Sequence, residues 1–172
     1  MPRNLGRTAA ALIAVVVCGL LIPENALIPV AGAVRTDWNA KSFWFEPWGQ
    51  SGVHKGIDIF AKQGTPVIAA VPGVVVYRGQ LGIGGNVVAI LGPKWRVHYF
   101  AHLAKAEPNQ FVVHAGQQIG TVGTTGNAAG KPPHLHYTVV SIIPLPWRFS
   151  GATQGWKQIF FLNPSQVLDG GT

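Results

Sequence analysis

The sequence predicts an all-β domain, a compact sandwich or barrel-like fold, preceded by an N-terminal hydrophobic helix. Three observations carry this. Short apolar, β-branched runs recur along the chain, separated by turn residues drawn from 22 Gly and 13 Pro. Helical heptad patterning is absent from the body of the chain. At 172 residues and 48% hydrophobic content, the chain is long enough to bury one real core.

The first thirty-three residues stand apart. Arg3 and Arg7 precede an apolar run from Ala9 to Ile22, which Pro23-Glu24-Asn25 stops, and Ala31-Gly32-Ala33 follows. Basic residues, an apolar run and small residues are the three regions of an export signal, with cleavage expected after Ala33. The alternative is an uncleaved membrane anchor through residues 9–22. Both place the rest of the chain outside the cytoplasm, in the cell envelope. The single cysteine, Cys18, lies inside the apolar run. A chain without residues 1–33 would have no cysteine, hence no disulfide and no thiol nucleophile.

Residues 34–50 form an aromatic entry segment with Trp38, Phe43, Trp44, Phe45 and Trp48. Packing onto the core is the favoured reading, a substrate-groove wall the second. The domain proper is assigned to residues 51–172. Its expected strands are 57–60, 67–71, 74–78, 86–91, 95–103, 117–122, 134–140 and 159–162, read from β-branched runs closed by Gly and Pro. A long loop rich in Pro, Gly and aromatics covers 141–158, and Asn163-Pro164-Ser165 opens a short terminal turn or helix to Leu168.

Charge and glycine patterns exclude two classes. The chain carries 13 Lys+Arg against 6 Asp+Glu, but the cations are scattered singly, so no nucleic-acid patch is expected. An anionic cell-wall polymer or lipid surface remains compatible with the excess. The stretches Gly79–Gly85 and Gly126–Lys131 are not phosphate loops: the first is not followed by a helix, and the second has Pro132 where a Ser or Thr is required.

The chemistry gathers around Pro133-His134-Leu135-His136. In a strand, His134 and His136 point the same way while Leu135 turns into the core. Two imidazoles aimed at one point suit a metal, a metal-bound water, or both; a pair of partly exposed strand histidines is the other reading. Carboxylates are scarce, and only Asp58 has a histidine close by, in His54-Lys55-Gly56-Ile57-Asp58. A straight strand would hold His54 and Asp58 roughly 13 Å apart, so one metal takes both only if the chain bends, as Gly56 allows. In Val97-His98-Tyr99-Phe100-Ala101-His102-Leu103, strict alternation puts His98, Phe100 and His102 on one face and Tyr99 on the other. His98 is expected to be a half-exposed strand residue, and His114 a solvated loop residue.

His54-x3-Asp58, His102-Leu103 after an aromatic-rich strand, and His134-Leu135-His136 occur in the order seen in lysostaphin-type (LytM-like) zinc metallopeptidases. Gly64-Thr65-Pro66-Val67, Gly116-Gln117-Gln118-Ile119-Gly120 and Gly123-Thr124-Thr125-Gly126 resemble that family too. The resemblance covers about residues 50–140 plus Asn163-Pro164. It implies a small antiparallel β domain around one Zn2+, with His54, Asp58 and His136 as metal ligands and His102 and His134 as unligated catalytic histidines. It also implies a peptidoglycan peptide as substrate, and a monomer is expected. The alternative within the same family is a non-catalytic relative that binds cell wall or activates another hydrolase. The chain departs from the family at three places: Thr138 where an acidic residue is frequent, Tyr137 for a common Phe, and Phe100 where a Tyr is usual two residues before the catalytic His.

Overall fold

The computed structural model describes residues 2–107 and 109–170. A helix, α1 (Pro2–Leu21), is followed by nine strands: β1 (Ile57–Phe60), β2 (Pro66–Ile68), β3 (Gly73–Gln80), β4 (Asn86–Gly92), β5 (Arg96–Ala106), β6 (Val112–Val113), β7 (Gln118–Val122), β8 (His134–Ser141) and β9 (Phe161–Leu162). A one-turn helix, α2 (Pro164–Leu168), closes the chain, with Pro164 at its start and the Asn163 side chain accepting from the Ser165 N–H. Among the described residues, no helix is long and apolar enough to cross a membrane.

Every strand pairing is antiparallel. The main path runs β1-β8-β5-β4-β3-β6; β7 pairs with β5 and β2, and β9 pairs with β8. The sheet is therefore open, with β1 and β6 at its ends, rather than a closed barrel. The expected strand at 134–140 is present almost to the residue, because its side chains alternate between core and cleft along its whole length. Leu135, Tyr137 and Val139 are buried with Ile57, Ile59, Phe100, Leu103 and Ile119 in one apolar core. Each large apolar side chain so buried contributes on the order of 1.5–3 kcal/mol. The two-residue β6 was not expected, since a run this short has no readable periodicity.

The central device is in β5. Its first half pairs with β8 as far as Ala101, and its second half pairs with β7 from Leu103 onward. His102 lies at this switch with φ of +63°, and the register against β4 shifts between Asn86 and Val88. The extra residue is a β-bulge, which breaks the two-residue alternation and re-aims the side chains beyond it.

Residues 24–33, which the sequence groups with the leader, pack on the sheet. Val30 is buried and bridges Val67 of β2, while Ala26, Ile28 and Ala33 sit against the core. Trp38 is also buried, its indole N–H donating to Ser165 Oγ at 2.9 Å.

Candidate metal centre

Register alone brings two of the five expected residues together. Asp58 of β1 stands opposite His136 of β8, and Phe60 opposite His134. On the other side of β8, Ala101 of β5 stands opposite His136. Alternation then turns Asp58, His134, His136 and Thr138 toward one cleft of about 830 Å³.

His54 precedes β1 and is held by the aromatic entry segment. Its ring is buried and stacks on Trp48 with centroids 4.0 Å apart. The His54 N–H donates to Phe45 O at 2.9 Å, and the Trp44 N–H donates to His54 O at 2.6 Å. The bend that brings His54 over Asp58 depends on Gly56 for space. A Cβ there would sit 2.5 Å from Tyr137 O, 2.6 Å from Thr138 Oγ1 and 2.9 Å from His136 Cε1.

Three acceptor atoms converge. His54 Nε2 lies 3.1 Å from Asp58 Oδ1 and 3.1 Å from His136 Nδ1, and His136 Nδ1 lies 2.8 Å from Asp58 Oδ1. The outer ring nitrogens are partnered from behind. His54 Nδ1–H donates to Ser42 O at 3.0 Å, which fixes its tautomer, and His136 Nε2 lies 3.0 Å from Thr138 Oγ1, a hydroxyl able to accept its N–H when Nδ1 serves as a ligand. A neutral imidazole has one N–H, so both inward nitrogens present lone pairs to a carboxylate oxygen. Three lone pairs crowded in this way call for a cation. Two imidazole nitrogens and one carboxylate, open toward a cleft, match the donor set of a catalytic zinc site. Burial, together with His54 and His134, pushes the His136 imidazole down against the pull of Asp58.

His102 and His134 flank the triad. Their rings are 5.1 Å apart, and the His102 ring is 5.8 Å from that of His136. His102 Nδ1–H donates to Thr125 O at 2.9 Å, and His134 Nδ1–H donates to Pro132 O at 2.7 Å. Each therefore presents Nε2 as an acceptor; that of His134 is 4.0 Å from Asp58 Oδ2. Burial, then the neighbouring His136 and His134, push the His102 imidazole down to about 4, against the Thr125 bond and Asp58. The left-handed backbone at His102 is costly for a non-glycine residue and coincides with the bulge that aims this ring into the cleft. The loop that supplies Thr125 is pinned in turn: Thr125 Oγ1 donates to Leu103 O and accepts from the Asn86 N–H, both at 2.9 Å.

Two expectations fail here for one reason. His98, Phe100 and His102 do not share a face, because the bulge at Ala101–His102 shifts the phase of β5. Val97, Tyr99, Ala101 and His102 line the cleft, so Tyr99, placed by alternation on the far face, is on the site side. His98 is fully buried rather than half-exposed, and it contacts Glu24 and Tyr137. His114 is exposed, as expected. Sequence reasoning missed Thr138 as a partner of His136, although its two-residue offset placed it on the same strand face. The aromatic segment is both core packing and cleft wall: Trp38 is buried, and Trp48 lines the cleft. The 141–158 loop reaches the same rim, where Gln154 Nε2 donates to Ser51 O at 2.9 Å.

Residues 52–143 match the sequence pattern of Peptidase family M23. The chain is 42% identical over 114 residues to an L-Ala--D-Glu endopeptidase of Bacillus subtilis, a match covering 60% of this chain and 35% of that protein. It resembles the catalytic domain of lysostaphin from Staphylococcus simulans at 30% identity and a TM-score of 0.58, over 72% of this chain and 85% of that one. A zinc-containing peptidase from Vibrio cholerae matches at 27% identity and a TM-score of 0.53, over 67% of this chain and 37% of that one. The match thus spans about a third of the Bacillus relative's length. The family pattern covers more than half of the chain and contains all five converging residues; the chain belongs to peptidase family M23, with the LytM-type fold.

Proposed function

We propose that the protein is a zinc-dependent endopeptidase that hydrolyses peptide bonds in bacterial peptidoglycan, in stem peptides or cross-links, in the cell envelope. The observation that carries the reading is the convergence of His54 Nε2, Asp58 Oδ1 and His136 Nδ1 as three lone-pair donors, with both rings locked from behind by Ser42 O and Thr138 Oγ1. His54, Asp58 and His136 would hold the ion. Bound there, zinc would lower the pKa of water toward about 7 and polarise the scissile carbonyl.

The chain's own residues supply the proton handling. His102 and His134 present Nε2 acceptors beside the triad, and among the described residues no glutamate lines the cleft to act as base. One of them takes the proton of the attacking water at Nε2 and returns it to the leaving amine. The other, when protonated, donates to the developing oxyanion. Lys55 and Lys131 also line the cleft, and among the described residues Asp58 is the only carboxylate that does. Such a basic cleft favours stem peptides that carry free carboxylates. The name of a further relative, a peptidoglycan DD-endopeptidase of Vibrio cholerae that is 39% identical over 90 residues, 52% of this chain and 20% of that protein, supports this substrate class.

The test is digestion of defined cross-linked muropeptides, with mass analysis of the products. Wild-type protein is expected to cleave them, and to stop on chelation and resume with added zinc. His136→Ala is expected to bind no stoichiometric zinc and release no products. Equal release by both proteins would defeat the reading and leave a wall-binding role in its place.

A further inference from the structure

We propose that residues 24–33 are a permanent strap of the folded domain, so that the chain is not severed after Ala33, α1 stays attached, and its apolar face lies against anionic lipid. The lipid half rests on the envelope location proposed above; the strap itself does not.

The strap runs along the free edge of β2. Leu27 N–H donates to Ala70 O at 2.8 Å, Ile68 N–H to Pro29 O at 3.0 Å, and Ala31 N–H to Pro66 O at 3.0 Å. Together with the Val30–Val67 bridge, these bonds cover an edge that a cut after Ala33 would leave bare. The small residues of the expected cleavage site are thus part of a paired segment in the folded protein.

Glu24 locks the start of the strap. It is 6% exposed, pairs with Arg96, and accepts from His98 Nε2–H at 3.0 Å. His98 is completely buried, and its Nδ1 accepts from the Tyr137 hydroxyl at 2.7 Å. Burial pushes the Glu24 carboxyl up, but His98 and Arg96 outweigh it and keep it ionised. Removing residues 1–33 would leave Arg96, itself 8% exposed, without its counter-charge inside the protein. Breaking one side of a buried ion pair is strongly destabilising.

The lock leaves α1 little slack. Only Ile22 and Pro23 separate its last residue from Glu24. The helix also docks on the domain: the Trp95 indole N–H donates to Val16 O at 2.9 Å, and Gly19 lies so close to that ring that a Cβ would collide with it. Outside this contact, Leu12 (63%), Ile13 (64%), Val15 (56%) and Leu21 (74%) are exposed. No charged residue lies between Arg7 and Glu24. An uncharged, exposed apolar stretch of this length, preceded by arginine and flanked by a tryptophan, suits the boundary between anionic headgroups and acyl chains.

The purified full chain tests both halves without substrate or zinc, so their failure is separate from failure of the peptidase reading. A protease site inserted between Ala33 and Val34 is cut in the folded protein. Cutting and separating the fragments is expected to lower Tm by about 10 °C or more; an unchanged Tm overturns the strap. Should the insertion itself disturb folding, Glu24→Gln is expected to lower Tm by several degrees, and an unchanged Tm again counts against it. Intact mass of the chain isolated from envelopes is expected to include residues 24–33, and a mature N-terminus at Val34 overturns the proposal. For the lipid half, the full chain is expected to sediment with phosphatidylglycerol-containing vesicles and a variant lacking residues 1–21 to stay in solution. Failure of the full chain to bind, or equal binding by both, overturns it.

Discussion

Thr138 Oγ1 lies 3.0 Å from His136 Nε2, on the same face of β8 and two residues along the strand. The hydroxyl accepts from the ring N–H and so keeps the lone pair of His136 Nδ1 directed at Asp58. A hydroxyl does this positioning without adding negative charge. Partners of this kind typically matter 10- to 100-fold in metal affinity. Thr138→Val is therefore expected to weaken zinc binding by about 10–100-fold in a chelator-competition assay, with Thr138→Ser close to wild type. Wild-type affinity in the valine variant would remove the positioning role.

His102 and His134 accept at Nε2 but stand outside the three-atom cluster. Replacing either with alanine should leave zinc stoichiometry near one while kcat falls by about 10²–10⁴. Loss of zinc together with activity would make them ligands instead. Metal analysis and muropeptide kinetics on the same preparations separate the two outcomes.

The metal-free protein should become acid-sensitive well above the carboxylate range. His102 is pushed down to about 4 in the fold, so between its ordinary value of about 6.5 and that point the unfolded chain binds more protons than the native one. Stability is then full above about pH 6.5 and declines as pH falls toward about 4. His136, also shifted down, adds in the same direction. Thermal melts of chelated protein between pH 7 and 4.5 should show this decline, and His102→Asn should flatten it. Parallel curves for the two proteins would exclude His102 as a source.

Gly56 is required for contact distance. A methyl group there meets the backbone carbonyl of Tyr137, which cannot move without shifting β8. Gly56→Ala should cost about 1–3 kcal/mol in denaturant unfolding and displace His54 from the cluster, with a matching loss of zinc affinity. A variant with wild-type stability and zinc binding would show that the bend tolerates a side chain.

Local pattern determined a large part of this protein. The alternation of His134, Leu135, His136 and Tyr137 is a property of any strand, and Pro and Gly mark where most strands stop, so β1, β4 and β8 were legible residue by residue. His54, Asp58 and His136, which meet at one point, were legible as well, because His54-x3-Asp58 and His134-Leu135-His136 are short motifs. Only the tertiary structure decided which face of β5 is which. A one-residue bulge at Ala101–His102 inverts the phase of the strand, and nothing in a two-residue period announces it; this is why Tyr99 faces the cleft and His98 the interior. The packing of residues 24–33 on the sheet was equally invisible, because a run of small and apolar residues reads alike as leader or as core. What ties their start to the domain is a carboxylate reaching across 72 positions to Arg96 and 74 to His98, and an interaction between such distant residues exists only once the chain has folded.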